Sequence, residues 1–110
     1  TIKAADLLAA QGVKAEVIDV ATLKPLDSAT LVDSVSKTGR CVIVHEAART
    51  AGFGAEIAAT IGEQALTSLL APVQRVAGYD VVVPLARLEH QYLPSIERIV
   101  AAARTALEWA

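Results

Sequence analysis

The residues whose types and spacing offer chemistry are few, and most of them fall in one string: His45-Glu46-Ala47-Ala48-Arg49-Thr50-Ala51-Gly52-Phe53-Gly54-Ala55-Glu56. His45 with Glu46 and Arg49 has the composition of an acid/base cluster, and Gly52-x-Gly54 could turn free backbone N–H groups toward an anion at a helix start. Neither reading is complete. A catalytic histidine needs an orienting group and a reacting atom within hydrogen-bond reach. The glycine pair lacks the third glycine of a dinucleotide fingerprint, where Ile57 stands, and lacks the Lys-Ser/Thr pair of a P-loop. His45, Arg49, Gly52 and Gly54 are therefore expected to form a tight structural turn, with His45 hydrogen-bonded at a strand end. An anion or nucleotide site on the same residues is the alternative.

The remaining candidates are weaker. His90 beside Glu89 and near Tyr92 reads as a surface residue in a polar loop. Two distant histidines, no His-x-x-x-His and a single cysteine give a metal site no support. Cys41 sits in an apolar run, where a buried, inert thiol is expected. Ser28, Ser34, Ser36, Ser68 and Ser95 lack a nucleophile-elbow context. No catalytic, cofactor-binding or metal-binding residue is assigned. Trp109 differs in kind, because a large aromatic near a chain end either folds back or meets a partner, so Glu108 and Trp109 are candidate interface residues.

The elements that position these residues alternate helix and strand. Residues 3–11 read as a helix with Gly12 at its C-terminal cap. Residues 15–20 are β-branched and partly alternating, which predicts a strand ending at the turn containing Pro25. Asp27 is placed to cap a helix through Lys37, with Gly39 beyond it. Residues 41–44 form a continuous apolar run, the mark of a strand covered on both faces and hence of a parallel sheet. A long amphipathic helix is expected over 54–70, a strand over 73–76, a loop over 81–91 and a last helix with Pro94 in its first turn. The fold expected is α/β, three-layer α/β/α with a mainly parallel central sheet of three strands. Because the first helix has no strand before it, one strand belonging ahead of Thr1 is expected to be missing, and the exposed sheet edge predicts self-association.

Composition bounds the rest. The chain of 110 residues is one domain, 1–110. It is 54% hydrophobic, but 22 of those residues are alanine, so the core is aliphatic and modest. Aromatics at 4% and a net charge of −2 argue against nucleic-acid binding. No apolar run approaches the roughly eighteen residues that cross a bilayer. There is no methionine and the first residue is Thr1, in keeping with a processed start or a piece of something longer.

Taken in order, several strings carry a resemblance: Val17-Ile18-Asp19, Thr22-Leu23-Lys24-Pro25-Leu26-Asp27, Ser34-Val35-Ser36-Lys37-Thr38-Gly39-Arg40, His45-Glu46-Ala47, Gly52-Phe53-Gly54-Ala55-Glu56-Ile57, Ala71-Pro72-Val73, Gly78-Tyr79-Asp80 and Tyr92-Leu93-Pro94. Over essentially its full length the chain resembles the C-terminal, transketolase-type domain of the beta subunit of thiamine-diphosphate-dependent 2-oxo acid dehydrogenases. His45-Glu46-Ala47 with Gly78-Tyr79-Asp80 looks more like the branched-chain members than the pyruvate-specific ones. Ala48, where the family often has proline, and Val81-Val82-Val83-Pro84 after the aspartate depart from its pattern. The resemblance implies a multienzyme component that decarboxylates a 2-oxo acid, branched-chain or pyruvate, and passes the acyl group to lipoamide. It implies that thiamine diphosphate and magnesium belong to the holoenzyme and are held outside this domain. The implied role is assembly with the alpha subunit and a second beta subunit and docking of the acyltransferase core's subunit-binding domain, in a bacterial cytoplasm or a mitochondrial matrix. A transketolase or deoxyxylulose-phosphate synthase relative is the alternative within the same fold.

Overall fold

The computed structural model describes residues 1–109; Ala110, which closes the expected domain, lies outside the described residues. The elements run α1 (Ile2–Ala10), α2 (Ser28–Thr38), β1 (Val42–Ala48), α3 (Phe53–Gln64), a 3₁₀ turn (Leu66–Ser68), β2 (Gln74–Gly78), α4 (Glu89–Tyr92) and α5 (Ile96–Leu107). β1 and β2 pair in parallel, Val42 with Gln74 and Val44 with Val76, and an irregularity separates Val44 from the last pair, Ala48 with Gly78.

The apolar run at the start of β1 feeds two cores, because successive side chains leave a strand on opposite faces. Ile43 joins Leu31 and Val35 of α2 and Ile57 and Ile61 of α3, while Val42 and Val44 pack against Ala4 of α1, Val76 of β2 and Ile99 of α5. The sheet thus separates an α2/α3 layer from an α1/α5 layer. Both layers are pinned at their ends. Arg40 Nε donates to Ala106 O at 2.8 Å, and Arg104 Nη2 donates to Gln11 Oε1 at 2.8 Å.

Local signals set the helix limits. Asp27 accepts the backbone N–H of Thr30 at the start of α2, and Gly39 closes that helix at φ 71°. The Thr30 hydroxyl, then its backbone N–H, hold the Asp27 carboxyl below its ordinary range. Ser95 caps α5 through the Arg98 N–H, so Pro94 stands just ahead of the helix and outside its first turn. The helix expected over 54–70 is shorter: α3 stops at Gln64 and the 3₁₀ turn follows.

The strand expected over 15–20 does not form, and the sheet has two strands among the described residues, where three were expected. Alternation decides which face a side chain takes, but a strand also requires a partner. Glu16 accepts Ser34 Oγ at 3.1 Å and pairs with Lys37 Nζ at 3.3 Å, and Ile18 and Val20 pack on the α2/α3 core. Val17, on the other face, is 45% exposed. The segment packs on this core with no ladder beside it.

Cys41 is half-buried against the α2/α3 core, and burial pushes its thiol up to about 11. At pH 8 the thiolate fraction falls on the order of a hundredfold below that of an ordinary cysteine. Native Cys41 is expected to react slowly with a disulfide reagent and at the ordinary rate after denaturation; fast native labelling contradicts this burial.

Candidate functional site

Because β1 and β2 are parallel neighbours, their C-terminal ends lie side by side, the position where open α/β sheets carry ligands. The strings at His45, residues 52–54 and residues 78–80 and the Tyr92 side chain converge there, whereas Ala71-Pro72-Val73 leads into the opposite end of β2. Gly78, the last residue of β2, is buried, and a Cβ on it would stand 2.5 Å from Glu46 O and 2.6 Å from the Tyr92 ring and hydroxyl. The loop after β2 is tied to the loop after β1 by Asp80, which accepts the Thr50 N–H at 2.8 Å and the Thr50 hydroxyl at 2.7 Å. Those two bonds, backbone first, hold the Asp80 carboxyl below the ordinary carboxylate range. Arg98 of α5 donates Nη2 to Ala77 O at 2.6 Å and lies over the Tyr79 ring at 4.6 Å, while its Nη1 is buried without a partner.

His45 takes a different role from the one expected. Both ring nitrogens are buried and neither has a hydrogen-bond partner. The ring lies in the space that side chains at 52 and 54 would take: a Cβ on Gly52 would collide with Ala48 O and meet the ring's Cε1 at 2.8 Å, and one on Gly54 would collide with Nε2. The glycine pair is therefore needed for close approach. Gly52 has φ −74°, and the left-handed residue of this turn is Ala51 at φ 58°.

The acid/base trio does not assemble. Glu46 is exposed, whereas the His45 ring is buried against Gly52 and Gly54, so the two side chains do not act on one centre. Arg49 Nη1 donates to Arg75 O at 2.8 Å, and Arg75 Nη1 returns toward Arg49 O at 3.4 Å. Arg49 thus ties the loop after β1 to the backbone of β2. Glu56 sits in the first turn of that helix, where a carboxylate already complements the positive end of the helix dipole. A cleft of about 580 Å³ opens beside the turn, with Leu23, Lys24 and Leu26 on one wall and Ala51, Phe53 and Glu56 on the other. His45 does not line it. His90 is exposed in α4, as its polar surroundings suggested.

Among the described residues no group of three His, Cys, Asp or Glu side chains could hold a metal ion. No helix among the described residues is long and apolar enough to cross a membrane. At the far end of α5, Glu108 is exposed and Trp109 is 53% exposed, so the indole does not fold fully back.

The model of the family described as transketolase, C-terminal domain, matches residues 1–99. The chain belongs to the transketolase C-terminal domain family. This transketolase C-terminal domain is 46% identical over 109 residues to the pyruvate dehydrogenase E1 component subunit beta of Staphylococcus epidermidis strain RP62A and 44% identical to that of Bacillus subtilis strain 168. In each case it covers 99% of this chain and 34% of the relative, so the chain spans about a third of the length of the curated relatives it matches. Among solved structures it is similar to a split-gene transketolase described as an inactive beta4 tetramer, at TM-score 0.82 and 33% identity, over 98% of this chain and 34% of that one.

The ties the transketolase C-terminal domain uses at this corner were not legible as local motifs. Asp80 and Thr50 are thirty residues apart, and Gly78 meets Tyr92 across a loop; only the shared order of Gly78-Tyr79-Asp80 and Tyr92-Leu93-Pro94 pointed to them.

Two tests address the corner. Gly54 has no positive φ, so Gly54→Ala should gain about 1 kcal/mol of helix propensity if space allowed. Against the His45 ring it is expected instead to cost about 1–3 kcal/mol, and in a His45→Ala background the same change is expected to stabilise. Additive effects in denaturant unfolding contradict the packing role. For Asp80, a lowered folded pKa means stabilisation that is complete above the unfolded carboxyl value and is lost as pH falls through the folded one. Asp80→Asn is expected to flatten the acid dependence of the unfolding midpoint between about pH 5 and 2; a profile parallel to the parent's contradicts the tie.

Proposed function

We propose that this chain is the C-terminal assembly domain of the beta subunit of a thiamine-diphosphate-dependent 2-oxo acid dehydrogenase, and that it carries none of the reaction's chemistry itself. The observation that carries the reading is identity of 44–46% with two E1 beta subunits across 99% of the chain. That span includes the residues that pack the strand-end corner. The substrate class is a 2-oxo acid. The two relatives act on pyruvate by name, while the pairing of His45-Glu46-Ala47 with Gly78-Tyr79-Asp80 motivates a branched-chain substrate.

In the holoenzyme, thiamine diphosphate with magnesium supplies the electron sink for decarboxylation, and the acyl group passes to lipoamide. The part proposed for this domain is to hold subunits together: an alpha subunit, further beta subunits, and the subunit-binding domain of the acyltransferase core. The E1 beta relatives and the tetrameric transketolase neighbour support subunit partnership. Exposure of Glu108 and Trp109 supports the C-terminal tail as one docking element. Relatives about three times as long leave room for a further strand on the two-stranded sheet, supplied from outside these residues. The compartment proposed is a bacterial cytoplasm, or the mitochondrial matrix in a eukaryote.

A piece of a transketolase relative is the second reading, favoured by the split-gene neighbour. An alpha-subunit reading frame beside the gene separates the two, since only the dehydrogenase needs one. The direct test is calorimetric titration of the chain with thiamine diphosphate and magnesium at millimolar concentration. No binding is expected, whereas saturable heat at one site per chain overturns the non-catalytic assignment.

A further inference from the structure

Two arginines meet where the loop after β1 passes β2. Arg49 Nη1 donates to Arg75 O at 2.8 Å, and Arg75 Nη1 donates to Arg49 O at 3.4 Å. Each guanidinium is thereby held at the other residue's backbone, and two positive charges are fixed near one another on a chain whose net charge is −2. Like charges so placed repel, more strongly beside protein than in bulk water. Arg40, Arg98 and Arg104 instead reach single acceptors on other elements.

Neither charge is paired. Among the described residues no carboxylate stands at ion-pair distance from either guanidinium. Each side chain uses one terminal nitrogen, and its other nitrogens have no protein acceptor among the described residues. Arg49 is exposed, and the donors that Arg75 leaves unpartnered are not buried. The acid that faces the pair is Asp80, whose carboxylate feels the charge of Arg49 while both its oxygens are taken by Thr50. It offsets part of the positive field and ligates neither arginine.

We propose that Arg49 and Arg75 together bind a phosphoryl dianion, either inorganic phosphate or the phosphate group of a small monoester. A guanidinium is a planar fork that takes an edge of a phosphate through two N–H bonds and keeps its charge throughout the physiological range. Two forks suit a tetrahedral dianion, which offers an edge to each, whereas a carboxylate has one edge and one charge and matches one fork. The bonds that each arginine gives the other's backbone hold both heads before the ligand arrives, which lowers the ordering cost of binding. The glycine turn takes no part in this site. Arg49 leaves the end of β1 and Arg75 belongs to β2, so the bound anion ties the two a second time and, through Thr50 and Asp80, steadies the loop that follows β2.

Titration of the chain with sodium phosphate at constant ionic strength, read by the arginine Nε–H signals in NMR, tests this. Saturable shifts are expected at Arg49 and Arg75 together, with phenyl phosphate as with inorganic phosphate, and none with acetate. Tighter binding of phenyl phosphate assigns the site to a monoester, and equal binding assigns it to the phosphoryl group alone. Arg49→Gln, and Arg75→Lys, which keeps the charge and loses the fork, are each expected to weaken binding about tenfold or more at unchanged circular dichroism. Arg87→Gln, an exposed arginine outside the pair, is expected to leave it unchanged. Shifts that appear alike with every anion, or a phosphate affinity unchanged in either pair variant, overturn the proposal. Thiamine diphosphate with excess magnesium has its diphosphate charge already neutralised and is expected not to displace phosphate; displacement by that complex overturns the assignment of a separate anion site.

Discussion

Room is the scarce quantity at the C-terminal end of this sheet. Gly78 ends β2 between the carbonyl of Glu46 on β1 and the ring of Tyr92, at distances where a single methyl group has no place. Strands of a parallel pair end side by side, so every connection that leaves them competes for the same volume. The chain resolves this with glycine on each side. Gly52 and Gly54 admit the His45 ring behind β1, and Gly78 admits Tyr92 behind β2. With those approaches made, the ties around the corner follow at ordinary lengths: Asp80 to Thr50 between the loops, and Arg49 to Arg75 and Arg98 to Ala77 onto β2.

This constraint changes the meaning of residues that looked chemical. A histidine, a glutamate, an arginine and a glycine turn within ten residues suggest a reacting centre or an anion cradle. Glu46 is exposed while the His45 ring is buried, Arg49 turns to a carbonyl of the neighbouring strand, and the imidazole fills the gap that the glycines leave. The corner is a clamp. What it presents outward is the apolar loop after Asp80, and a clamp of this kind lets a loop with few internal hydrogen bonds keep a defined place on the domain.

The legible parts of the fold were those whose causes lie close in sequence. Asp27 and Gly39 bracket α2 as their side-chain and backbone chemistry requires, and the run before His45 announced a strand covered on both faces. Residues 15–20 failed as a strand because alternation reports faces and says nothing of a neighbour to pair with. The glycine pair was legible as a tight turn, but its reason was hidden, since spacing alone does not reveal which ring stands behind it. Asp80 and Tyr92 could be recognised only through the order of strings along the whole chain, because each acts on a residue far away in sequence. The aliphatic, alanine-rich composition fits the same picture: small side chains allow helices to sit close on a narrow sheet, and little is left over for reactive groups.

Space, and not backbone conformation, fixes glycine at the strand ends. Gly78→Ala measures this directly, because a strand glycine at an ordinary φ gains roughly 0.5–1 kcal/mol from alanine when there is space for it. Denaturant unfolding of the variant is expected to show a loss of about 1–3 kcal/mol with an unchanged m-value. A neutral or stabilised Gly78→Ala variant would contradict the account, since the corner would then have the room that it is held to lack.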